Sequence, residues 1–595
     1  MSRPRPRGRI LAALGAAAVT TASLVATLGA APASARPDHD DHGRHHGRHH
    51  GTSHKQVKLQ ILALNDFHGQ LEPSQSSSSG AINGTPAGGA EYLATHLRRL
   101  RESAAAEGRH SVTVAAGDLI GATPLLSAAF HDEPTIEAMN EMGLQVSSVG
   151  NHEFDEGWQE LVRMQRGGCL PDGDGEANQN SCADHEFEGA RFRYLSANVF
   201  HEDTGETVFP GVTVKKYDGV KVGFIGMTLE NTPNIVTRSG VAGLRFTDEV
   251  ETANAAAKRL QKAGVKSIVV LVHEGGFPSD PTAYNSCPGI SGPIVDINRG
   301  LSPRIDAVIT GHTHQAYNCR LKDPNDDDRL VTSGSSLGRL VTDIDLSINR
   351  RSGDVICSSE IADNHVVTRD VPRAEAITSL ISTYQTLVAP IAGKVIGHLA
   401  GTTTVSRAVD DSGESPLGNL IADAQRADDS TVTAGRTPEI AFMNPGGIRN
   451  DLQAADGAVT YGSAFSVQPF NNYDVSMDLT GQQILTLLEQ QWTGVNAASP
   501  KILQVSGITY SYSKAGTTYT LRPETVRVNG AAIDPARTYR VVANSFLSDG
   551  GDGFAAFAQG TEKFFGGLDI DAFAAYLAEH DPYTPVATDR ITVAP

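Results

Sequence analysis

Apolar residues along the chain fall into two patterns. The runs VKLQILAL (57–64), SVTVAA (111–116), VKVGFIGM (220–227), VKSIVVLV (265–272) and DAVIT (306–310) are short and nearly continuous, which predicts buried strands. Between them, stretches such as EYLATHLRRLRES (91–103) and VETANAAAKRLQKAG (250–264) repeat their apolar positions every three or four residues, which predicts helices with one buried face. Strands alternating with helices predict an α/β fold of layered sheets flanked by helices. This pattern spans residues 56–368. Residues 369–392 read as a linker helix that ends at a proline and serves as a hinge-like connector. A second α/β segment covers 393–595, with glycine-rich loops at NPGGIRN (444–450) and SDGGDGF (548–554) and no internal repeat.

The N-terminus departs from this pattern. Four arginines in MSRPRPRGRI precede the apolar run LAALGAAAVTTASLVATLGA and the small-residue step APASA. That order is expected of a secretory signal spanning 1–35, cleaved after Ala35; an uncleaved membrane anchor is the alternative. Residues 36–55 carry His39, His42, His45, His46, His49, His50 and His54. A tract of this composition cannot form a core and is expected to be disordered. It reads either as a solvated linker or as a loose scavenger of zinc or copper.

Export to an oxidising compartment lets cysteines pair. Cys169 and Cys182 flank a loop-like segment and are expected to bridge. Cys287 with Cys319 is a candidate second bridge, and Cys357 is then the odd thiol; spacing alone leaves the connectivity open. No CxxC spacing occurs, which argues against thiolate-bound zinc.

Hydrophobic residues at 39% and charged residues at 20% fit a soluble globular protein. The formal charge of −19, with no basic stripe, argues against binding a nucleic-acid polymer. A small phosphorylated ligand stays possible, because bound metal ions can supply positive charge locally.

The chemistry sits where the strand-like runs stop. ILALNDFHG ends in Asp66 and His68, TVAAGD in Asp118, and VSSVGNHEFD in Asn151 and His152. IVVLVHEGG ends in His273, and AVITGHTH in His312 and His314. Ligands of open α/β sheets collect beyond the carboxyl ends of strands, so these side chains are expected to converge.

The series NDFHG (65–69), GD (117–118), GNHEFD (150–155), HEGG (273–276) and GHTH (311–314) resembles the calcineurin-type metallophosphoesterases, specifically the 5′-nucleotidase and UDP-sugar hydrolase family. The resemblance implies a four-layer αββα metallophosphoesterase domain joined by the linker helix to a C-terminal α/β nucleotide-recognition domain. It also implies two divalent ions: Asp66, His68 and His314 on one, Asn151, His273 and His312 on the other, and Asp118 bridging. Oxygen and imidazole ligands suit zinc, manganese or cobalt better than calcium. His152, which the family pattern does not assign to metal, is expected to act on the transferring phosphoryl group or the leaving oxygen, oriented by Asp155.

GESPLGNLIADA (413–424), NPGGIRN, PFNNYD (469–474) and NSFLSDGGDGF (544–554) resemble the nucleotide-binding domain of the same family. By that resemblance Phe470 and Phe546 stack on the base, Asp552 binds ribose hydroxyls, Arg449 contacts phosphate, and Asn444 and Asn472 read polar edges. Gly447 and its neighbours would let the backbone approach the ligand. The family's monophosphate enzymes often carry arginines immediately before GNL, where this chain has DDSGESPLGNL with only Arg407 upstream. Arg407 is the expected substitute clamp.

The expected activity is that of a secreted two-metal 5′-nucleotidase. A 2′,3′-cyclic-nucleotide phosphodiesterase with 3′-nucleotidase activity, a UDP-sugar hydrolase and a non-catalytic metal-binding protein are the alternatives. The expected partner is a small nucleotide, with no stable membrane insertion after signal cleavage; oligomeric state is not legible.

Overall fold

A computed structural model describes residues 55–74, 80–171, 179–356 and 360–594. The signal segment, nearly all of the histidine tract and Cys357 lie outside the described residues.

The N-terminal half is built on two six-stranded sheets. In the first, Gln56–Leu64 lies between Leu340–Asn349, to which it is antiparallel, and His110–Ala116, to which it is parallel. Val146–Ser148 and Arg193–Leu195 continue the parallel order. In the second, Ser267–His273 lies between the parallel strands Val220–Thr228 and Ala307–Thr310. Period-two alternation sends Leu59, Ile61, Val112 and Val114 between the sheets against Val222, Phe224, Val269 and Leu271. The opposite faces are covered by helices. On the second sheet, Glu249–Lys262 seats Ala253, Ala256, Ala257 and Leu260, one helical stripe, against Ile225, Ile268 and Val270. Strands covered on both faces must be apolar throughout, which is why the runs lack alternation. The expected four-layer αββα order is present.

Glu375–Ala392 forms the linker helix and runs two residues past Pro390 instead of stopping there. Ile377, Ile381, Tyr384 and Val388 are buried along one stripe. They join an apolar cluster that includes Leu93 and Met139 of the first half and Leu420 and Phe465 of the second. The hinge-like connector is therefore a packed helix whose buried face is shared by both halves.

The C-terminal half contains a mixed five-stranded sheet in the order Gln504–Ser506, Ile440–Met443, Thr538–Asn544, Tyr473–Thr480, Thr561–Leu568, and a separate four-stranded sheet. Helix Pro416–Ala427, capped by Ser415, and helix Gly481–Gln490, with a Thr480 capping box, pack on it. Cys169 is bonded to Cys182 and Cys287 to Cys319, as expected. Among the described residues no helix is long and apolar enough to cross a membrane.

Candidate active site

Each of the seven expected ligands lies just past a strand or in the loop that follows it, except His273, which ends its own strand. Five of them, Asp66, His68, Asp118, His312 and His314, adopt positive φ between 46° and 69°. Left-handed backbone on Asp and His is uncommon and costs on the order of 1 kcal/mol or more per residue. Such turns persist because partners over-determine them. Asn65 Nδ2 donates to Asp66 Oδ2 (2.6 Å) and to the Ser335 carbonyl (2.5 Å), while its Oδ1 accepts from Gly334 N. Glu153 accepts from Asp118 N, Leu119 N and Gly150 N, tying the GD and GNHEFD loops together through one carboxylate. Gly150 allows the close approach: a Cβ there would collide with Asp118 Oδ1.

The ligands converge in two groups, Asp66 with His68 and His314, and Asp118 with His273 and His312. His68 donates Nδ1–H to the Gly121 carbonyl (2.8 Å), which leaves its Nε2 bare, 3.1 Å from His314 Nε2 and 3.6 Å from Asp118 Oδ2. His273 likewise donates Nδ1–H to the Ala116 carbonyl (2.7 Å). Its Nε2 lies 3.0 Å from Asp118 Oδ2, yet it is buried without a hydrogen bond of acceptable geometry. Asn151 Oδ1 lies 3.0 Å from His312 Nδ1. Asp118 thus reaches ligands of both groups.

Burial pulls His68 and His312 down to about 3 and His314 well below its ordinary value. Burial, helped by the Asp118 carboxylate, lifts Asp66 to about 7. His273 moves the other way: the Asp118 and Asp66 carboxylates outweigh its burial and raise it to about 10. The neutral rings of His68, His312 and His314, crowded carboxylates and the buried Nε2 of His273, whose proton a bound cation would displace, form a set suited to divalent cations.

His152 Nδ1 bonds Asp155 Oδ2 at 2.8 Å. Burial lowers the His152 pKa, but the Asp155 and Asp118 carboxylates overcome it and leave the ring raised above its ordinary value. Its ring stacks on Phe470 with centroids 5.8 Å apart. Arg449 lies over the same Phe470 ring at 5.9 Å and reaches to within 3.5 Å of His68 Nε2.

One cleft joins the halves. Asn151, His152, Asp155 and His312 line its N-terminal side; Asn444, Gly447, Arg449, Phe470, Asn472, Phe546 and Asp552 line the other. Seven of the eight expected substrate residues are therefore gathered there. Gly551 packs on Phe546, and a Cβ at that position would stand 2.5 Å from its ring. Arg407 is the exception. Its guanidinium donates to the Ile448 and Arg449 carbonyls and lines a different depression, so it braces the loop bearing Arg449 and is not turned to the cleft. Asn444 is also committed, donating to Asp552 Oδ2 (3.1 Å) and accepting from Asn544 Nδ2 (3.0 Å). Asn472 Oδ1 accepts from Ser545 Oγ.

Sequence reasoning missed four contributors: Asn65, Glu153, Lys501 and the loop 235–237, which lines the cleft from the N-terminal half. Asn65 and Glu153 stood inside quoted motifs and carried a signal. Lys501 and the loop carried none.

The Calcineurin-like phosphoesterase family matches residues 59–316, and the family described as 5′-nucleotidase, C-terminal domain, matches 395–559. Endonuclease YhcR of Bacillus subtilis is 30% identical over 501 residues, 83% of this chain but 37% of that protein, so the chain spans little more than a third of it. Cell wall protein Lmo0130 of Listeria monocytogenes is 32% identical over 562 residues, covering 89% of this chain and 68% of that one. The crystal structure of a 5′-nucleotidase precursor from Thermus thermophilus superposes with a TM-score of 0.71 at 27% identity, covering 90% of this chain and 99% of that one. Calcineurin-like phosphoesterases use divalent metals, and the groups Asp66, His68, His314 and Asp118, His273, His312 could hold them. The chain belongs to the 5′-nucleotidase family of metallophosphoesterases and is a metal-dependent phosphoester hydrolase.

Proposed function

We propose that the chain is an exported 5′-nucleotidase that binds two divalent cations, of zinc, manganese or cobalt, and hydrolyses nucleoside monophosphates to nucleoside and phosphate. The observation that carries this reading is the single cleft in which candidate metal ligands and candidate nucleotide-binding side chains face one another. Export is supported by the two disulfides, which need an oxidising compartment, and by similarity to a cell wall protein.

In this reading Asp66, His68 and His314 would hold one ion and Asn151, His273 and His312 the other, with Asp118 available to both. Bound there, such ions polarise the phosphoryl oxygens and lower the pKa of water. The chain's own residues do the rest. Arg449, the cleft-lining arginine whose guanidinium approaches the cluster, takes a phosphate oxygen. Asp155 holds the His152 ring with Nδ1 occupied, so that Nε2 delivers a proton to the departing 5′ oxygen or stabilises the transferring group. Phe470 and Phe546 take the base between them, a contact that tolerates different bases.

One observation favours a second reading. Because Arg407 is bound to backbone carbonyls, Arg449 stands without the expected second clamp. The cleft is then less committed to a dianionic monoester, which admits a 2′,3′-cyclic nucleotide or a nucleotide sugar. The test is hydrolysis of AMP, 2′,3′-cyclic AMP and UDP-glucose by metal-reconstituted protein, with EDTA and Asp118→Ala as controls. AMP turnover exceeding the others supports the first reading. Turnover of only the cyclic substrate or the nucleotide sugar replaces it.

A further inference from the structure

Asp552, the residue proposed to bind the sugar, is already fixed without any charged neighbour. Its backbone is left-handed (φ 56°), its carbonyl accepts from Asn496 Nδ2 at 2.8 Å, and its Oδ2 accepts from Asn444 Nδ2 at 3.1 Å. Yet its other oxygen, Oδ1, carries an ion pair with Lys501 Nζ. Lys501 is held by its own backbone, whose N–H donates to the Gln491 carbonyl at 2.8 Å, and its side chain is 31% exposed where it lines the cleft. With one carboxylate oxygen held by Asn444 and the backbone held by Asn496, Asp552 does not need an ammonium for orientation. A lysine ammonium has three donors, and Asp552 takes one.

We infer that Lys501 is a specificity-determining residue that reads the 2′,3′-diol of the sugar together with Asp552, so that the cleft favours ribonucleosides over 2′-deoxyribonucleosides. This rests on the proposed nucleotide-binding role of the cleft. A carboxylate is acceptor-only and can bind hydroxyl hydrogens alone, whereas each hydroxyl also offers an oxygen lone pair. An ammonium in contact with a carboxylate oxygen places a donor and an acceptor about 2.8 Å apart, a spacing close to that of two vicinal oxygens. One hydroxyl donates to Asp552 while its neighbour accepts from Lys501. A 2′-deoxy sugar leaves one member of the partly desolvated pair unmatched, and sites built around a hydroxyl reject analogues lacking it.

The test is calorimetric binding of adenosine and 2′-deoxyadenosine to the wild type, Lys501→Met and Lys501→Arg, with AMP and dAMP hydrolysis measured in parallel. Unchanged circular dichroism and metal content establish that the variants fold. The wild type is expected to bind adenosine about tenfold or more tightly than the deoxy analogue. Lys501→Met should weaken adenosine by about tenfold and the deoxy analogue by less than about threefold, and Lys501→Arg should recover part of the preference. Equal weakening of both nucleosides would show that Lys501 only props Asp552 and would overturn the inference, as would a wild type with no preference or no nucleoside binding. Discriminating nucleoside binding without AMP turnover would instead sink the 5′-nucleotidase reading and leave this one standing.

Discussion

The metal cradle and the nucleotide cleft meet in one cavity but are built differently. In the cradle every ligand sits at or just beyond a strand end, and Asp66, His68, Asp118, His273 and His314 each bond a polar group outside the ligand set, whereas His312 bonds the ligands Asp66 and Asn151. His314 shares the left-handed backbone, and Asn151 is buried beside the Glu153 clamp. In the cleft, the side chains come from loops and short helical turns and bond mainly to one another, as in the chain Asn544 to Asn444 to Asp552 to Lys501. Chemistry is placed on the rigid scaffold, and substrate choice on replaceable loops. Mutations in the first region should therefore abolish turnover whatever the substrate, whereas those in the second should shift preference.

The largest effect is expected at Asp118, the carboxylate that reaches ligands of both groups. Asp118→Ala should cut kcat by about four orders of magnitude and lose bound metal, read by elemental analysis beside AMP hydrolysis. His152→Ala should lower kcat by about two to three orders with metal content intact. That split between turnover and metal separates the dyad from the cradle, and near-normal turnover would remove His152 from the chemistry.

His152 was a candidate through its place in the GNHEFD motif; Asp118 was a candidate because metal ligation demands particular side chains at strand ends, and the apolar runs mark those ends. The αββα layering was readable for the same reason: runs such as VKSIVVLV have no polar alternation because both faces of their strands are covered. Cys169 with Cys182 was legible because a short loop-like segment separates them. Arg407 and Lys501 mark where the reading stopped. Each is an arginine or lysine in an irregular segment with no periodicity, and the direction of a long side chain from a loop depends on tertiary packing. Arg407 turned to carbonyls beside it, and Lys501 turned into the cleft. The linker helix starts at Glu375 and runs through Pro390 to Ala392; the proline forgoes one intrahelical hydrogen bond, and the face carrying Ile381, Tyr384 and Val388 stays packed between both halves.

Glu153→Gln tests the brace behind the cradle. It keeps the shape but removes the charge that accepts three backbone N–H groups, and should weaken metal affinity by about 10- to 100-fold in a chelator competition. Phe546→Ala sharpens the other side of the comparison. KM for AMP should rise about tenfold while p-nitrophenyl phosphate, which has no base to stack, is affected far less. Arg407→Ala should have the smallest effect, a change of a few-fold in KM transmitted through the loop of Arg449, because the side chain touches backbone and not the cleft.

The most direct test of the central claim is stoichiometric: metal-free protein is titrated with manganese or zinc while AMP hydrolysis is followed. Two groups of three side chains, with Asn151 beside His312 and Asp118 reaching across to His68, predict that turnover is absent without metal and saturates at two equivalents per chain. Full activity in EDTA, or phosphate esters left intact at metal saturation, would contradict the account.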